Sequence, residues 1–271
     1  MEEMKVTAVA NLKGGVGKTL VVGNLGHAYA AQSVPTLLLD LDPQGNLTQH
    51  FTDFTPDAPP SVSMADVLDR SSDATLADAI VETRRSGLFL VPSGFDELQA
   101  VQDTLVGKPG AEFSVKRALD SLPAGQFTDV LIDCRPATDL VTRNAFIAAD
   151  QVLIVLQPEA DALRGFDFTL VAIDDLQMYL GKELPVAGFV VNQVDYRRND
   201  HKKQLEWIKQ RSAADAIPIL GDPIPVSTDL SKLNAVGMGI DEMSSPSIRL
   251  RTLAAGFQTI VNALREERSA A

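Results

Sequence analysis

Seven short runs rich in Val, Leu and Ile recur along the chain: KVTAVA, PTLLLD, GLFLV, DVLID, QVLIVL, PVAGFVV and IPIL. Their apolar positions are nearly continuous rather than alternating, the pattern of strands buried on both faces. Between them lie longer stretches in which apolar residues return every three or four positions. That spacing predicts helices over about 19–32, 95–104, 111–121, 139–148, 162–180, 199–213 and 247–267, with ends placed to within a few residues. Strands alternating with amphipathic helices imply an α/β fold: a mostly parallel twisted sheet with helices on both faces. The weakest pattern is at 51–75, FTDFTPDAPPSVSMADVLDRSSDAT, whose prolines, serines and aspartates predict a mobile surface loop carrying at most a short helix at 63–69.

Composition narrows this picture in three ways. A chain of 271 residues with 45% hydrophobic content can bury one large core, so residues 1–271 are expected to form a single domain. The first strand begins near residue 5, which leaves no room for an N-terminal helix-turn-helix domain. The net charge of −12 argues against general polyanion binding, so any nucleic-acid contact must be local. MEEMK lacks the regions of a signal peptide, and no apolar run approaches the ~20 residues of a membrane span. The one cysteine, Cys134, excludes internal disulfides and fits a reducing, cytoplasmic setting; no motif sets a base beside it.

Open sheets of this kind bind ligands beyond the carboxyl ends of their strands. Four strand ends carry polar residues there. After KVTAVA comes NLKGGVGKTL, residues 11–20. The strict phosphate-loop pattern G-x-x-x-x-G-K-[ST] fails at Leu12, yet Gly14, Gly15 and Gly17 free the backbone around Val16 so that successive N–H groups can face an anion at a helix N-terminus. Lys18 and Thr19 fill the phosphate and magnesium roles, and Lys13 is a surplus cation. In LLLDLDPQGN, Asp40 and Asp42 share one face of an extended strand. Such a pair beside a triphosphate is repulsive without Mg2+, so it suits a metal and an attacking water; alternatively Asp40 caps a loop and Asp42 opens a turn with Pro43. In DVLIDCRP, Asp133 ends an apolar strand, a weak signal that gains meaning beside Lys18 and Thr19. In GFVVNQVD, Asn192 has an amide suited to a purine edge, although Asn and Asp are also ordinary turn formers.

KGGVGKT, LLLDLDPQGNLT, DVLIDCRP with LVTRNAFIAADQVLIVLQPE, and VVNQVDYRRN, in this order, resemble the ParA/MinD group of deviant Walker-A P-loop ATPases, and most closely its ParA branch of plasmid and chromosome partition proteins. The resemblance runs from about residue 5 to 265. It implies ATP and Mg2+ as cofactors, with slow ATP hydrolysis in the absence of a partner. Carried onto this chain, it implies that Lys18 binds the β and γ phosphates and that Thr19 meets the metal. Asp42 orients the attacking water, and Asp40 and Asp133 support the outer shell of the metal. Gly14 to Leu20 wrap the nucleotide. Lys13 would be the signature lysine, reaching across a two-fold interface to the nucleotide of the partner, so that ATP holds a homodimer together. The partners implied are a ParB-like adaptor and non-specific DNA on the nucleoid, without stable membrane insertion.

The departures are specific. Leu20 stands where a second threonine is common, Arg135 replaces the first of two prolines, and Val226 and Asp229 occupy a segment, IPVSTDLSKLNA, where similar proteins carry DNA-binding arginines. Against that, YRRNDHKKQLEWIKQR (196–211) carries Arg197, Arg198, Lys202, Lys203, Lys209 and Arg211 against Asp200 and Glu206. This is either a DNA-phosphate footprint led by Arg197 or a solvated helix face. The alternative function is a MinD-like membrane-cycling or other cargo-positioning ATPase. It needs an amphipathic C-terminal helix, for which SIRLRTLAAGFQTIVNALREE offers an apolar stripe, although such a stripe more often packs on its own sheet. An iron–sulfur reductase like the nitrogenase iron protein shares the loop but needs more thiolates than one cysteine per subunit supplies.

Overall fold

The computed structural model describes residues 3–159 and 162–266. Seven strands form one sheet: β1 (Lys5–Ala10), β2 (Thr36–Asp40), β3 (Val81–Glu82), β4 (Leu88–Val91), β5 (Asp129–Asp133), β6 (Gln151–Leu156) and β7 (Val186–Val191), in the order β3-β4-β2-β5-β1-β6-β7. Every pairing is parallel except that of the two-residue edge strand β3 with β4. The apolar runs become strands because both of their faces are covered. Leu37 and Leu39 of β2 join Val130 and Ile132 of β5 in one core, while Leu38 and Leu131 join Val9 and Leu153 in the other.

The first core is closed by α3 (Met64–Leu68), α5 (Asp96–Leu105), α6 (Ser114–Asp120), α7 (Leu140–Ala148), α8 (Ala162–Leu180) and α9 (Asn199–Asp215). On the opposite side, α1 (Lys18–Ala31), α2 (Asn46–Phe51), α10 (Thr228–Ala235) and α11 (Ile248–Glu266) close the second; a further turn of helix, α4 (Leu76–Ala79), lies before β3. All seven predicted helices are present, with the one over 111–121 divided into a 3-10 turn at Ala111–Phe113 and α6. Residue 267, the last of the expected C-terminal helix, lies outside the described residues, as do Met1, Glu2 and the tail.

Two expectations are corrected, and two helices were not anticipated. IPIL (217–220) is not a sheet strand; it makes a single bridge, Ile219 to Phe189, beside β7. Pro218 has no N–H to give, and the turn at Gly221 (φ 67°) ends the ladder after two hydrogen bonds to Phe189. Within 51–75, α3 is tied down rather than superficial: Ser63 and Asp66 form a capping box, and Met64, Ala65 and Leu68 are buried. Helices α2 and α10 follow DPQG and IPVS, turn-forming sequences that hide a helix of six to eight residues.

The apolar stripe of α11, Leu250, Leu253, Phe257, Ile260, Val261 and Leu264, is buried in the second core. Gln258 Nε2 also donates to the Ala28 carbonyl of α1 at 2.9 Å. The stripe is spent inside the molecule and does not face a bilayer in this conformation. Among the described residues, no helix is long and apolar enough to cross a membrane. Phe257→Ala should therefore lower the unfolding free energy by about 3–5 kcal/mol in urea titration, whereas a surface-facing stripe would give a change under about 0.5 kcal/mol.

Candidate functional site

The loop between β1 and α1 is built around Asn11, which is 1% exposed. Its Nδ2 donates to the Val155 carbonyl at 2.8 Å and its Oδ1 accepts the Lys13 N–H at 2.7 Å, so the side chain fixes the start of the loop to β6. Gly15 (φ 80°) and Gly17 (φ 84°) turn the backbone through left-handed conformations. Open space lies where a side chain at Gly15 would stand, whereas a β-carbon at Gly17 would collide with Asn192 Nδ2. Helix α1 then begins at Lys18, directing its unpaired N–H groups into the loop.

Lys13 and Lys18 point to different places. Lys18 is 7% exposed and Nζ donates to the Asn11 carbonyl at 3.1 Å. Burial lowers its pKa, opposed by the nearby Asp133, Cys134 and Asp42. Lys13 stays at the mouth, its side chain 24% exposed, in a 2.8 Å ion pair with Glu159 just after β6. Glu159 is held below the ordinary carboxylate range chiefly by the hydrogen bond from Lys13. Helix α8 comes very close here: a β-carbon at Gly165 would collide with Asn11 Oδ1 and Lys13 Cβ, and Thr169 Oγ1 accepts the Leu12 N–H at 3.3 Å.

The parallel register sets Asp40 of β2 beside Asp133 of β5. Both are essentially without solvent exposure. Burial raises both pKa values, and the mutual proximity of the pair raises Asp133 further. Asp133 Oδ2 accepts the Thr19 hydroxyl at 2.6 Å, and Oδ1 has no hydrogen-bond partner. Asp40 is more fully bonded: Oδ2 accepts the Thr48 N–H at 2.8 Å and hydroxyl at 2.7 Å, and Oδ1 accepts the Asp42 N–H at 3.2 Å. Asp42 is partly exposed at the head of the turn, with Oδ1 accepting the Gln44 N–H at 3.0 Å. The turn-capping role of the Asp40–Asp42 pair is thus seen directly, and Asp42 also lies near Lys18 of the loop. Cys134 is buried, with its thiol pushed up by burial, and is a core residue.

A hydrated divalent cation fits this arrangement. An orphaned, buried carboxylate oxygen lies beside a hydroxyl at the open side of a glycine loop, where a cation would relieve the raised pKa values. Among the described residues no three His, Cys, Asp or Glu side chains converge to form a metal cage. Mg2+ is usually held by one or two protein oxygens together with phosphates and waters.

Asn192 is 1% exposed, and its Nδ2 donates to the Val16 carbonyl at 2.9 Å, so in this conformation it braces the loop. Val16 is buried, and Leu20 packs partly into the second core. Arg135 bridges two elements, donating to Gln99 Oε1 of α5 at 2.7 Å and pairing with Asp139 at 2.9 Å. Asp139 in turn caps α7. Sequence reasoning did not single out Asn11, Thr48 or Glu159. Asn11 directly follows a buried strand, a signal that would have found it; Glu159 lies three residues beyond β6, and Thr48 acts from eight residues beyond Asp40.

The basic segment lies on the loop after β7 and on α9, and most of its cations are already paired. Arg197 chelates Asp195 (2.9 and 2.8 Å) with its side chain 90% exposed, Arg198 pairs with Asp200, and Lys209 pairs with Glu206 at 2.7 Å. Arg211 pairs with Asp215 and Asp167 and stacks over Phe166. Lys202 and Lys203 are exposed. Six cations against the four carboxylates Asp195, Asp200, Glu206 and Asp215 leave +2 over 195–215. Asp229 lies in the first turn of α10, where a carboxylate suits the helix dipole, and Val226 accepts a 2.7 Å hydrogen bond from Arg249.

A glycine loop between β1 and its helix, with a buried Lys18 and a half-buried Thr19 beside carboxylates at the ends of β5 and β2, defines a P-loop nucleoside-triphosphatase. Residues 4–186 match the family model described as an AAA domain, and the chain belongs to the ParA-type partition ATPases of this class. It is 36% identical over 211 residues to the chromosome partitioning protein ParA of Caulobacter vibrioides, covering 74% of each chain. Identity to the sporulation initiation inhibitor protein Soj of Bacillus subtilis is 34% over 206 residues, 76% of this chain and 79% of Soj. Among solved structures, a Mycobacterium smegmatis protein described as cobyrinic acid a,c-diamide synthase, with bound ATP analogue and magnesium, superposes with a TM-score of 0.79. It is 32% identical, covering 99% of this chain and 97% of that one.

Gly17→Ala forces a side chain into both a left-handed backbone and the Asn192 amide. It should destabilise the fold by about 1–3 kcal/mol in urea titration, whereas Gly15→Ala, strained but unobstructed, should cost less.

Proposed function

We propose that this chain is a partition ATPase that hydrolyses ATP with Mg2+, dimerises on ATP, binds DNA without sequence preference and is reset when an adaptor stimulates hydrolysis. The observation that carries the dimer is the divergence of the two lysines. Lys18 is buried and turned into its own loop, so it serves the β and γ phosphates of its own nucleotide. Lys13 stands outside at the mouth, where among the described residues its ammonium pairs with a partly exposed carboxylate. Its ammonium is free to exchange Glu159 for the more strongly charged phosphates of a facing nucleotide. Two such exchanges related by a two-fold axis close a dimer on its ligands. The apolar Phe168 and Val171, 60% and 55% exposed in the two turns of α8 after the Lys13–Gly165 contact, supply surface for that dimer to cover.

In this reading Thr19, with Asp133 and Asp40 behind it, holds the magnesium side, and Asp42 orients the attacking water. Magnesium supplies neutralisation of the charge that develops on the transferring phosphoryl group. The backbone of residues 14–20 cradles the phosphates. Asn192 braces Val16 and stands at the edge where a purine base would lie. The relatives named as partition proteins and the neighbour crystallised with an ATP analogue and magnesium support these cofactors. ParA-type relatives also favour a ParB-like adaptor as the stimulating partner.

DNA contact rests on Arg197, Arg198, Lys202 and Lys203. The geometry makes it conditional: Arg197 and Arg198 must trade Asp195 and Asp200 for phosphates, and doubling a net +2 across a dimer is what raises avidity. Burial of the α11 stripe disfavours the membrane-cycling alternative.

Lys13→Ala should abolish ATP-dependent dimerisation in light scattering while leaving nucleotide binding within about threefold; undiminished dimerisation removes Lys13 from the mechanism. Binding to random-sequence DNA, measured against salt with ADP, ATP and a non-hydrolysable analogue, should be ATP-selective. Arg197→Ala should weaken it and reduce the salt slope by about one per protomer. Equal or absent binding in every nucleotide state redirects the reading to another cargo-positioning role.

A further inference from the structure

The end of β2 depends on the last residue of the run LLLDLDPQGNLT, to which the sequence assigned no role. Thr48, on the first turn of α2, has no solvent exposure and gives both of its donors to one oxygen, Asp40 Oδ2. Its hydroxyl has no freedom to point elsewhere. The Ser93 N–H at the end of β4 donates to Thr48 Oγ1 at 3.0 Å, so the lone pair on that side is occupied and the hydroxyl proton is committed to the carboxylate. With Asp42 N–H on Oδ1, three of the roughly four lone-pair sites of the carboxylate are filled by donors from its own turn. The rotamer of Asp40 is thereby fixed, and one lone-pair site on Oδ1 remains unfilled among the described residues.

We propose that Thr48 is a positioning residue for magnesium: its hydroxyl and amide fix the orientation of Asp40, so that the remaining Oδ1 site would accept a hydrogen bond from the hydration shell of Mg2+. The inference rests on the assignment of Asp40 to the magnesium shell. It extends that shell to β4, because Thr48 joins β2 and β4 at their carboxyl ends through one oxygen. Outer-shell partners of this kind orient a ligand and typically change metal affinity 10–100-fold when removed. The working pattern in this chain is then Asp40, Asp42 and Thr48 together, with Gly45 (φ 60°) permitting the turn that returns Thr48 to Asp40.

The test is a Mg2+ titration of the fluorescence of a methylanthraniloyl-ATP probe bound to the full chain, with a parallel binding curve in EDTA and a thermal melt for each variant. Thr48→Val keeps the shape and removes the hydroxyl; it should raise the half-saturating Mg2+ about tenfold, with affinity in EDTA unchanged. Thr48→Ser should stay within about twofold of wild type, and Asp40→Asn should shift at least as far as Thr48→Val. In the Asp40→Asn background Thr48→Val should add nothing, since it acts only through the carboxylate. A normal Mg2+ requirement in Thr48→Val, with a shifted one in Asp40→Asn, overturns the role of Thr48 alone. An unshifted Asp40→Asn overturns the assignment of Asp40 to magnesium. If Thr48→Ser shifts as far as Thr48→Val, packing of the methyl group is responsible and the proposal fails. Should Thr48→Val not fold, Thr48→Cys, similar in size with a weak donor, carries the same expectation, and wild-type Mg2+ dependence there overturns it.

Discussion

Two carboxylates buried side by side at the ends of adjacent parallel strands are the constraint from which the site follows. Asp40 and Asp133 are aligned by the β2–β5 register, both are buried, burial raises the cost of ionising each, and Asp40 raises that of Asp133 further. Such a pair persists only where hydrogen-bond donors and cations are arranged around it. The fold answers with two different solutions. Asp40 is saturated by donors from its own turn, while Asp133 receives one hydroxyl and keeps a bare oxygen toward the loop. Lys18, itself buried, is the nearby cation.

The sheet order makes this possible. With β1 between β5 and β6, the glycine loop emerges at the centre of the sheet and is braced from both sides. Asp133 reaches it from β5 through Thr19, Asn11 ties it to β6, and Asn192 reaches it from beyond β7 through Val16. Backbone that carries exposed N–H groups and left-handed glycines is otherwise floppy; here three buried side chains hold it ready for an anion. The same bracing decides the fate of the lysines. The inner one follows α1 into the protein, whereas the outer one is pressed against α8 at Gly165 and left at the rim.

Charge on the surface is arranged less decisively. The chain carries −12, and even its basic segment is threaded with acids that chelate Arg197 and Arg198. Exposed pairs of this kind are screened by solvent and hold weakly, so they are readily exchanged for a stronger anion. They set a threshold rather than a barrier: a single protomer presents little net positive field, and only a doubled or nucleotide-assembled surface can do more.

The sequence alone determined the class of fold, the strands that form its centre and the loop that receives an anion. Continuous apolar runs have no alternative to burial on both faces, and three glycines followed by Lys-Thr have few other uses. Asp40, Asp42 and Asp133 were legible for the same reason, as polar residues at the ends of apolar strands. What only the tertiary structure decided is where shared atoms go. That Thr48 closes on Asp40, that Glu159 restrains Lys13, that Asn192 braces Val16, and that the stripe of α11 is spent on α1 are pairings between residues brought together by the register of strands and the crossing of helices. IPIL had the composition of a strand and failed as one, because Pro218 and the turn at Gly221 denied it a ladder. Local pattern fixes which residues must be buried; which partner each polar group then finds depends on geometry that no short window of sequence contains.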